Sequence, residues 1–234
     1  MYLDQLPDLS RARLVRARAR GVAIRDGDRA VAVAFVADGS LLPADTLVRF
    51  DVTRGEDASR RLADALAKTG ARAVWFYGGD AITRNAAVML DLAIRPAGAV
   101  FVHRMDGPHA QRAVFRPPLQ REREALADLQ RDYAPAFRAP HGEIAEIGGD
   151  AVGAVMTEPL DQTWTEVCVV VHAAHRGRGY GGALLGALAD RIEATGRRAC
   201  AAIEAPAGRE RTALESAGFR LSDYYFIASK REAR

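Results

Sequence analysis

Lysine is almost missing from this chain. Of its 33 basic residues only Lys68 and Lys230 are lysines. None lies between those two positions, so no Gly-Lys-Ser/Thr ending occurs there and a P-loop is excluded. Cysteine is scarce as well: Cys168 and Cys200 are too few for a disulfide framework. Both fall in segments that read as interior strands, where a thiol behaves as a small buried hydrophobe. No apolar run approaches the length that crosses a bilayer, and Met1-Tyr2-Leu3-Asp4 lacks a basic-then-apolar signal pattern. The expectation is a cytoplasmic protein without membrane contact. The formal charge of +3 is small, and the arginines lie interleaved with Asp and Glu, which argues against a nucleic-acid partner. The five histidines show no zinc spacing, so no metal site is expected.

What remains is 234 residues, 49% of them hydrophobic, enough for one large domain or two small ones. The most informative stretch is Arg176-Gly177-Arg178-Gly179-Tyr180-Gly181-Gly182. It follows a β-branched run ending in Val169-Val170-Val171 and precedes a helical pattern from Ala183 to Ile192. A strand that enters a helix through such a loop makes an anion cradle. Glycines let successive N–H groups converge, and the helix N-terminus adds partial positive charge. A diphosphate is the natural guest. A dinucleotide fold wants G-x-G-x-x-G, a spacing that Gly177, Gly179 and Gly182 also meet, so the glycines by themselves leave both readings open. The plain alternative is a tight strand-to-helix turn with no ligand.

Elements around the cradle can be placed by pattern. A strand at 113–116 stops at Pro117-Pro118, and Leu119, Leu126, Leu129 and Tyr133 mark a helix. Strands follow at 143–147 and 151–156, joined by Gly148-Gly149-Asp150, and then a strand at 165–171 leads into the loop. A helix from Tyr180 ends near Gly196, a strand spans 199–204, a helix spans 208–217 with Gly218 beyond it, and a last strand covers 221–228. This order over residues 113–230, the R-G-x-G-x-G spacing and the terminal Gly218-Phe219 turn resemble the GNAT superfamily of N-acetyltransferases. The resemblance implies an α/β fold of the GNAT type built on a mixed sheet, with acetyl-CoA as co-substrate.

The first half reads as a worn copy. Leu62–Ala73 matches Leu188–Ala199 at a constant offset of 126, with seven of twelve positions identical. A strand at 74–77, a helix at 82–92 and a strand at 99–103 follow, as their counterparts do in the second half. Earlier strands fall at 21–25, 30–37 and 46–52. The expectation is two tandem GNAT-like units, 1–110 and 111–234, with an unrelated small α/β cap as the alternative for the first. At the cradle position the first copy has Thr53-Arg54-Gly55-Glu56-Asp57-Ala58, where two carboxylates would repel a diphosphate. One coenzyme site per chain is expected.

The chemistry that the resemblance implies is acetyl transfer to a primary amine on a small molecule, a peptide N-terminus or a Lys side chain. The cofactor-binding set is Val169, Val170 and Val171 along the pantetheine arm, then Arg176, Gly177, Arg178, Gly179, Tyr180, Gly181 and Gly182 around the diphosphate. An attacking amine must lose a proton, and Glu166, at the start of the loop-bearing strand, is the leading general base. Glu143 and Glu146 are weaker candidates. The family's usual acid, a tyrosine, is replaced by Leu214, and an Asn common near Ala207 is missing. Water, Tyr224 or Tyr225 stand as substitutes. A second reading is a catalytically silent acyl-CoA-binding sensor or scaffold, and a third is a tandem transferase acting on a thiol-metabolite precursor. An open sheet edge leaves room for a homodimer.

Overall fold

A computed structural model of the chain describes residues 19–37, 44–104, 113–133, 141–204 and 208–231. The chain divides into two compact units. One comprises the residues up to Gly98 together with Asp223 onward, and the other runs from Ala99 to Ser222.

In the first unit, β1 (Arg20–Asp26) and β2 (Arg29–Val36) form an antiparallel hairpin, and β2 pairs antiparallel with β3 (Thr46–Val52). Next come α1 (Ala58–Thr69), β4 (Ala73–Tyr77), α2 (Ala81–Met89) and the start of β5 (Ala93–His103). The β-branched and aromatic content of β3 and β4 suits a pleated, buried surface. Parallel pairing of β3 with β4 is confined to Thr46 opposite Ala73 and Leu47 opposite Val74. The unit is completed by the later part of β11 (Phe219–Ser229), whose residues Tyr225–Ser229 run antiparallel to β4. Helix α1 starts at Asp57, whose carboxylate accepts the N–H groups of Ser59 and Arg60, and stops at Gly70 in the left-handed region at φ 70°. An N-cap of this kind stabilises a helix by about 1 kcal/mol. The core packs Leu47, Phe50, Leu62, Val74 and Phe76.

The second unit begins with the end of β5 and continues through β6 (Val114–Arg116), a short 3-10 turn, α3 (Arg123–Tyr133), β7 (His141–Ile147), β8 (Asp150–Pro159) and β9 (Trp164–Val171). It then runs through α4 (Tyr180–Glu193), β10 (Arg198–Glu204), α5 (Gly208–Ser216) and the first residues of β11. The strand order is β5-β10-β9-β8-β7-β6, and β6 to β9 form an antiparallel meander. Strand β10 runs parallel to β9, but only Arg198–Cys200 pair with Trp164–Glu166. Beyond Glu166 the strand β9 leaves its parallel neighbour. Phe101, Val155, Leu184, Leu188 and Phe219 are central to this unit's core.

Each unit thus follows the order hairpin, strand, helix, parallel strand, helix, strand. The hairpins even share an irregularity of register, between Ile24 and Arg25 in one and between Ala145 and Glu146 in the other. The mixed α/β architecture agrees with the sequence expectation. Several boundaries differ; the units part at Gly98 and Asp223 rather than at 110. The helix expected at 82–92 ends at Met89, the chain turns at Asp91 (φ 52°), and β5 starts at Ala93 rather than 99. The strand carries Pro96 through its exposed half, where a missing N–H leaves no buried partner unsatisfied.

Candidate functional site

Strand β9 ends at Val171, a 3-10 turn spans Ala173–His175, and the chain then passes through Arg176 in extended conformation. Gly177 and Gly179 have φ of 77° and 80°. These are left-handed values that cost an ordinary L-residue about 1–2 kcal/mol. The two inversions aim the chain into α4, and Gly179 stands at the N-cap with no side-chain cap. The first backbone bond of the helix is donated by Ala183 to the carbonyl of Gly179 at 3.3 Å. Among the described residues, the N–H groups from Gly177 to Gly182 therefore have no acceptor. Six successive free donors at the start of a fourteen-residue helix form an anion cradle. A methyl group at Gly177 or Gly179 would meet no atom within 4 Å, so the space before the loop is open.

The loop glycines do different work. Gly181 has an ordinary φ, and a Cβ there would touch only Ala213 Cβ at 3.7 Å and Val171 Cγ2 at 3.9 Å. At Gly182 a Cβ would collide with Ser216 Oγ of α5, so this glycine is required by helix packing, whatever its N–H binds. Arg176 folds back, its Nε donating to the Val171 carbonyl at 3.1 Å, which ties loop to strand. Arg178 is exposed and has no partner among the described residues. Tyr180 packs against the core of the unit, as its apolar-type position implied.

Alternation along β9 sorts its side chains. Val167, Val169 and Val171 face α4, while Cys168 and Val170 face Met156 and Leu129 of α3. The resemblance grouped Val169, Val170 and Val171 along one arm through their backbone; their side chains lie on opposite faces. Glu166 is 7% exposed and sits where β9 parts from β10, opposite Cys200 on one side and Glu158 on the other. Glu158, 2% exposed, escaped the sequence reading because the strand was ended at Met156. Extending the period-2 alternation by two residues would have placed it on the face of Glu166. Burial pushes the Cys168 thiol up to about 12, with the Glu166 charge adding to the effect. Its Sγ lies 3.6 Å from the Tyr133 carbonyl.

The weaker base candidates are committed elsewhere. Glu143 is bound by Arg191, through Nη1 at 3.1 Å and through Nη2. Glu146 accepts Arg116 Nε at 2.6 Å. His172 Nδ1 accepts the Ala174 N–H at 3.4 Å, and the His175 ring lies 6.1 Å from that of Tyr180. Neither side chain joins a metal-type cluster among the described residues. No helix among them is long and apolar enough to cross a membrane.

The helix start at the matching position of the first unit is capped by its own side chain. Gly55 keeps a positive φ of 90°, like Gly177. Asp57 stands where the second unit has Gly179 and takes the helix N–H groups itself, held below the usual carboxylate range by the Ser59 hydroxyl and the Arg60 amide. Glu56 accepts Arg61 at 2.9 and 3.1 Å, and Arg61 also reaches Asp26 at 2.7 Å. Repulsion of a guest anion by two carboxylates is the cause that the sequence suggests for the loss of the cradle. The structure adds a direct cause, an internal carboxylate already seated on the amides.

The acetyltransferase (GNAT) family pattern matches residues 109–214, which span β6 to α5. The chain carries a GNAT domain. No curated protein matches the sequence. Among solved structures, the chain is similar to a GNAT-family acetyltransferase from Colwellia psychrerythraea, at 11% identity and a TM-score of 0.68, covering 91% of this chain and 86% of that one. A GCN5-related N-acetyltransferase from Kribbella flavida is similar at 16% identity and a TM-score of 0.60, covering 97% and 95%. A tandem GNAT protein from the clavulanic acid biosynthesis pathway shares 15% identity at a TM-score of 0.56, covering 96% and 89%. At such identities the likeness is one of fold. The family match over residues 109–214 indicates acyl transfer from acyl-CoA.

The GNAT domain departs from its family where a proton donor is expected. Leu214 is 3% exposed within the core and donates nothing. Ala207 lies outside the described residues. Tyr225 packs on Trp75 in the first unit, with ring centroids 5.3 Å apart, while Tyr224 has an exposed side chain and a carbonyl bound to the Gly78 amide.

Proposed function

We propose that the GNAT domain is an N-acetyltransferase that uses acetyl-CoA and a primary amine. The observation that carries this reading is the run of unpaired amides from Gly177 to Gly182 at the uncapped start of α4. Those amides hold the diphosphate, and Arg178 adds a charge-assisted contact. The exposed backbone edge of β9 beyond Glu166 takes the pantetheine arm along Val169–Val171. Bound acetyl-CoA supplies the thioester at the point where β9 and β10 diverge. Glu166, at that point, takes a proton from the amine as it attacks. A main-chain N–H of β9 polarises the carbonyl there, in the manner of an oxyanion hole. Water protonates the departing thiolate, because Leu214 has no proton to give.

The first unit is read as a second GNAT-like copy that no longer binds the coenzyme. Support comes from the shared element order, the matching hairpin irregularity and the Asp57 carboxylate that occupies its helix start. The buried Leu214 favours one rival, a silent acyl-CoA-binding module.

Coenzyme A release from acetyl-CoA, measured against a panel of amines, separates the two. The transferase reading expects amine-dependent release, and Glu166→Gln lowers kcat by about 100-fold or more with little change in acetyl-CoA affinity. Binding without amine-dependent release supports the silent module, and a fully active Glu166→Gln removes that residue from the mechanism.

A further inference from the structure

We propose that the first unit carries its own binding site for a small amphiphilic carboxylate, an aliphatic chain ending in one anionic head. A cavity of about 800 Å³ opens in this unit, within the size range of small-molecule sites. Its walls mix apolar and polar side chains. Ala32 of β2, Phe50 and Val52 of β3 and Ala58 of α1 line it, and Ile82 of α2 stands at its edge, 46% exposed.

The charge around the mouth selects the head group. Asp51 is paired with Arg49 on the same strand. Glu56 is bound by Arg61, with Arg29 a further 3.9 Å contact. The charge of each rim carboxylate is thus offset by an arginine, although Asp51 Oδ1 is buried without a hydrogen-bond partner. Arg54 also lines the cavity, is exposed, and has no partner among the described residues. One uncompensated guanidinium beside a partly apolar pocket fits a monoanion, and its planar fork matches a carboxylate bidentately. A diphosphate is disfavoured, because Asp57 already occupies the Ser59 and Arg60 amides at the start of α1. This site shares no residue with the cradle of the GNAT domain and stands or falls without it.

Calorimetric titration of the full chain with sodium octanoate tests the site, with octan-1-ol and octylamine as comparators. Octanoate is expected to bind once per chain, octanol about tenfold more weakly, and octylamine without saturation. Arg54→Ala brings octanoate down to the octanol level and leaves coenzyme A affinity unchanged. Ile82→Glu, on an exposed position, weakens both octanoate and octanol. Saturating coenzyme A leaves octanoate binding intact. The proposal is overturned by absence of saturable octanoate binding, by an Arg54→Ala variant with parental affinity, or by displacement of octanoate with coenzyme A, which would place the ligand in the other unit.

Discussion

Replacing Gly181 by alanine separates what the fold needs from what a ligand needs. Gly181 lies in the first turn of α4, and its ideal Cβ makes only ordinary contacts, the nearest at 3.7 Å from Ala213 Cβ. Alanine is a better helix former than glycine by up to about 1 kcal/mol, so the free variant is expected to be as stable as the parent or more so. For a chain of this size that corresponds to a rise in Tm of up to about 2–4 °C. Alanine keeps the amide N–H, and its methyl lies toward Ala213 and Val171, so affinity falls only where the methyl crowds the diphosphate off one of the first-turn amides. Losing one hydrogen bond to a charged group costs about 1.5–3 kcal/mol, roughly a ten- to hundredfold weakening. Gly179→Ala is the matched control. Its φ of 80° makes any side chain there strained, by about 1–2 kcal/mol, so this variant loses stability and affinity together. Calorimetry with coenzyme A, beside thermal melts of the free variants, measures both quantities. A Gly181→Ala variant that keeps parental affinity for coenzyme A would refute contact between the diphosphate and this face of the first turn.

Other consequences concern the packing around the site. Glu122 holds Arg116 at 2.8 and 3.0 Å and accepts the Leu119 amide, which lowers its carboxyl to about 2. A depressed carboxylate contributes stability above its unfolded value, near 4.5, and loses it as pH falls through the folded one. Glu122→Gln is therefore less stable than the parent at pH 7, and the gap narrows on acidification from about 4.5 toward 2. Denaturant melts across that range check the trend, and a gap that stays constant contradicts it. Cys168, pushed up to about 12 by burial, is expected to resist alkylation at neutral pH in the folded chain and to react on unfolding. Equal rates in both states would show the thiol to be accessible.

The sequence revealed much of the cradle because its causes are local. Two glycines at alternate positions between a β-branched run and a helical stripe leave few backbone solutions, and Gly177 and Gly179 adopt the positive φ that only glycine takes without strain. Strand and helix order was readable for the same reason. Features that depend on distant partners were not. The need for Gly182 to be small comes from Ser216, thirty-four positions along the chain, on a neighbouring helix. Glu143 looked like a possible base until Arg191 was found to bind it from α4. Asp57 was read as a charge that repels, although an Asp just ahead of a helical run is also an N-cap signal. The uncompensated state of Arg54 needed the partners of Glu56 and Asp51, which only the fold supplies.

The central claim is that the main-chain amides at the start of α4 hold the diphosphate of coenzyme A. Amide resonances of nitrogen-15-labelled protein, followed during titration with coenzyme A, ADP and pantetheine, test it most directly. The account predicts that the signals of Gly177, Gly179, Tyr180, Gly181 and Gly182 move with coenzyme A and with ADP but stay in place with pantetheine. Signals that remain fixed while coenzyme A binds would contradict it.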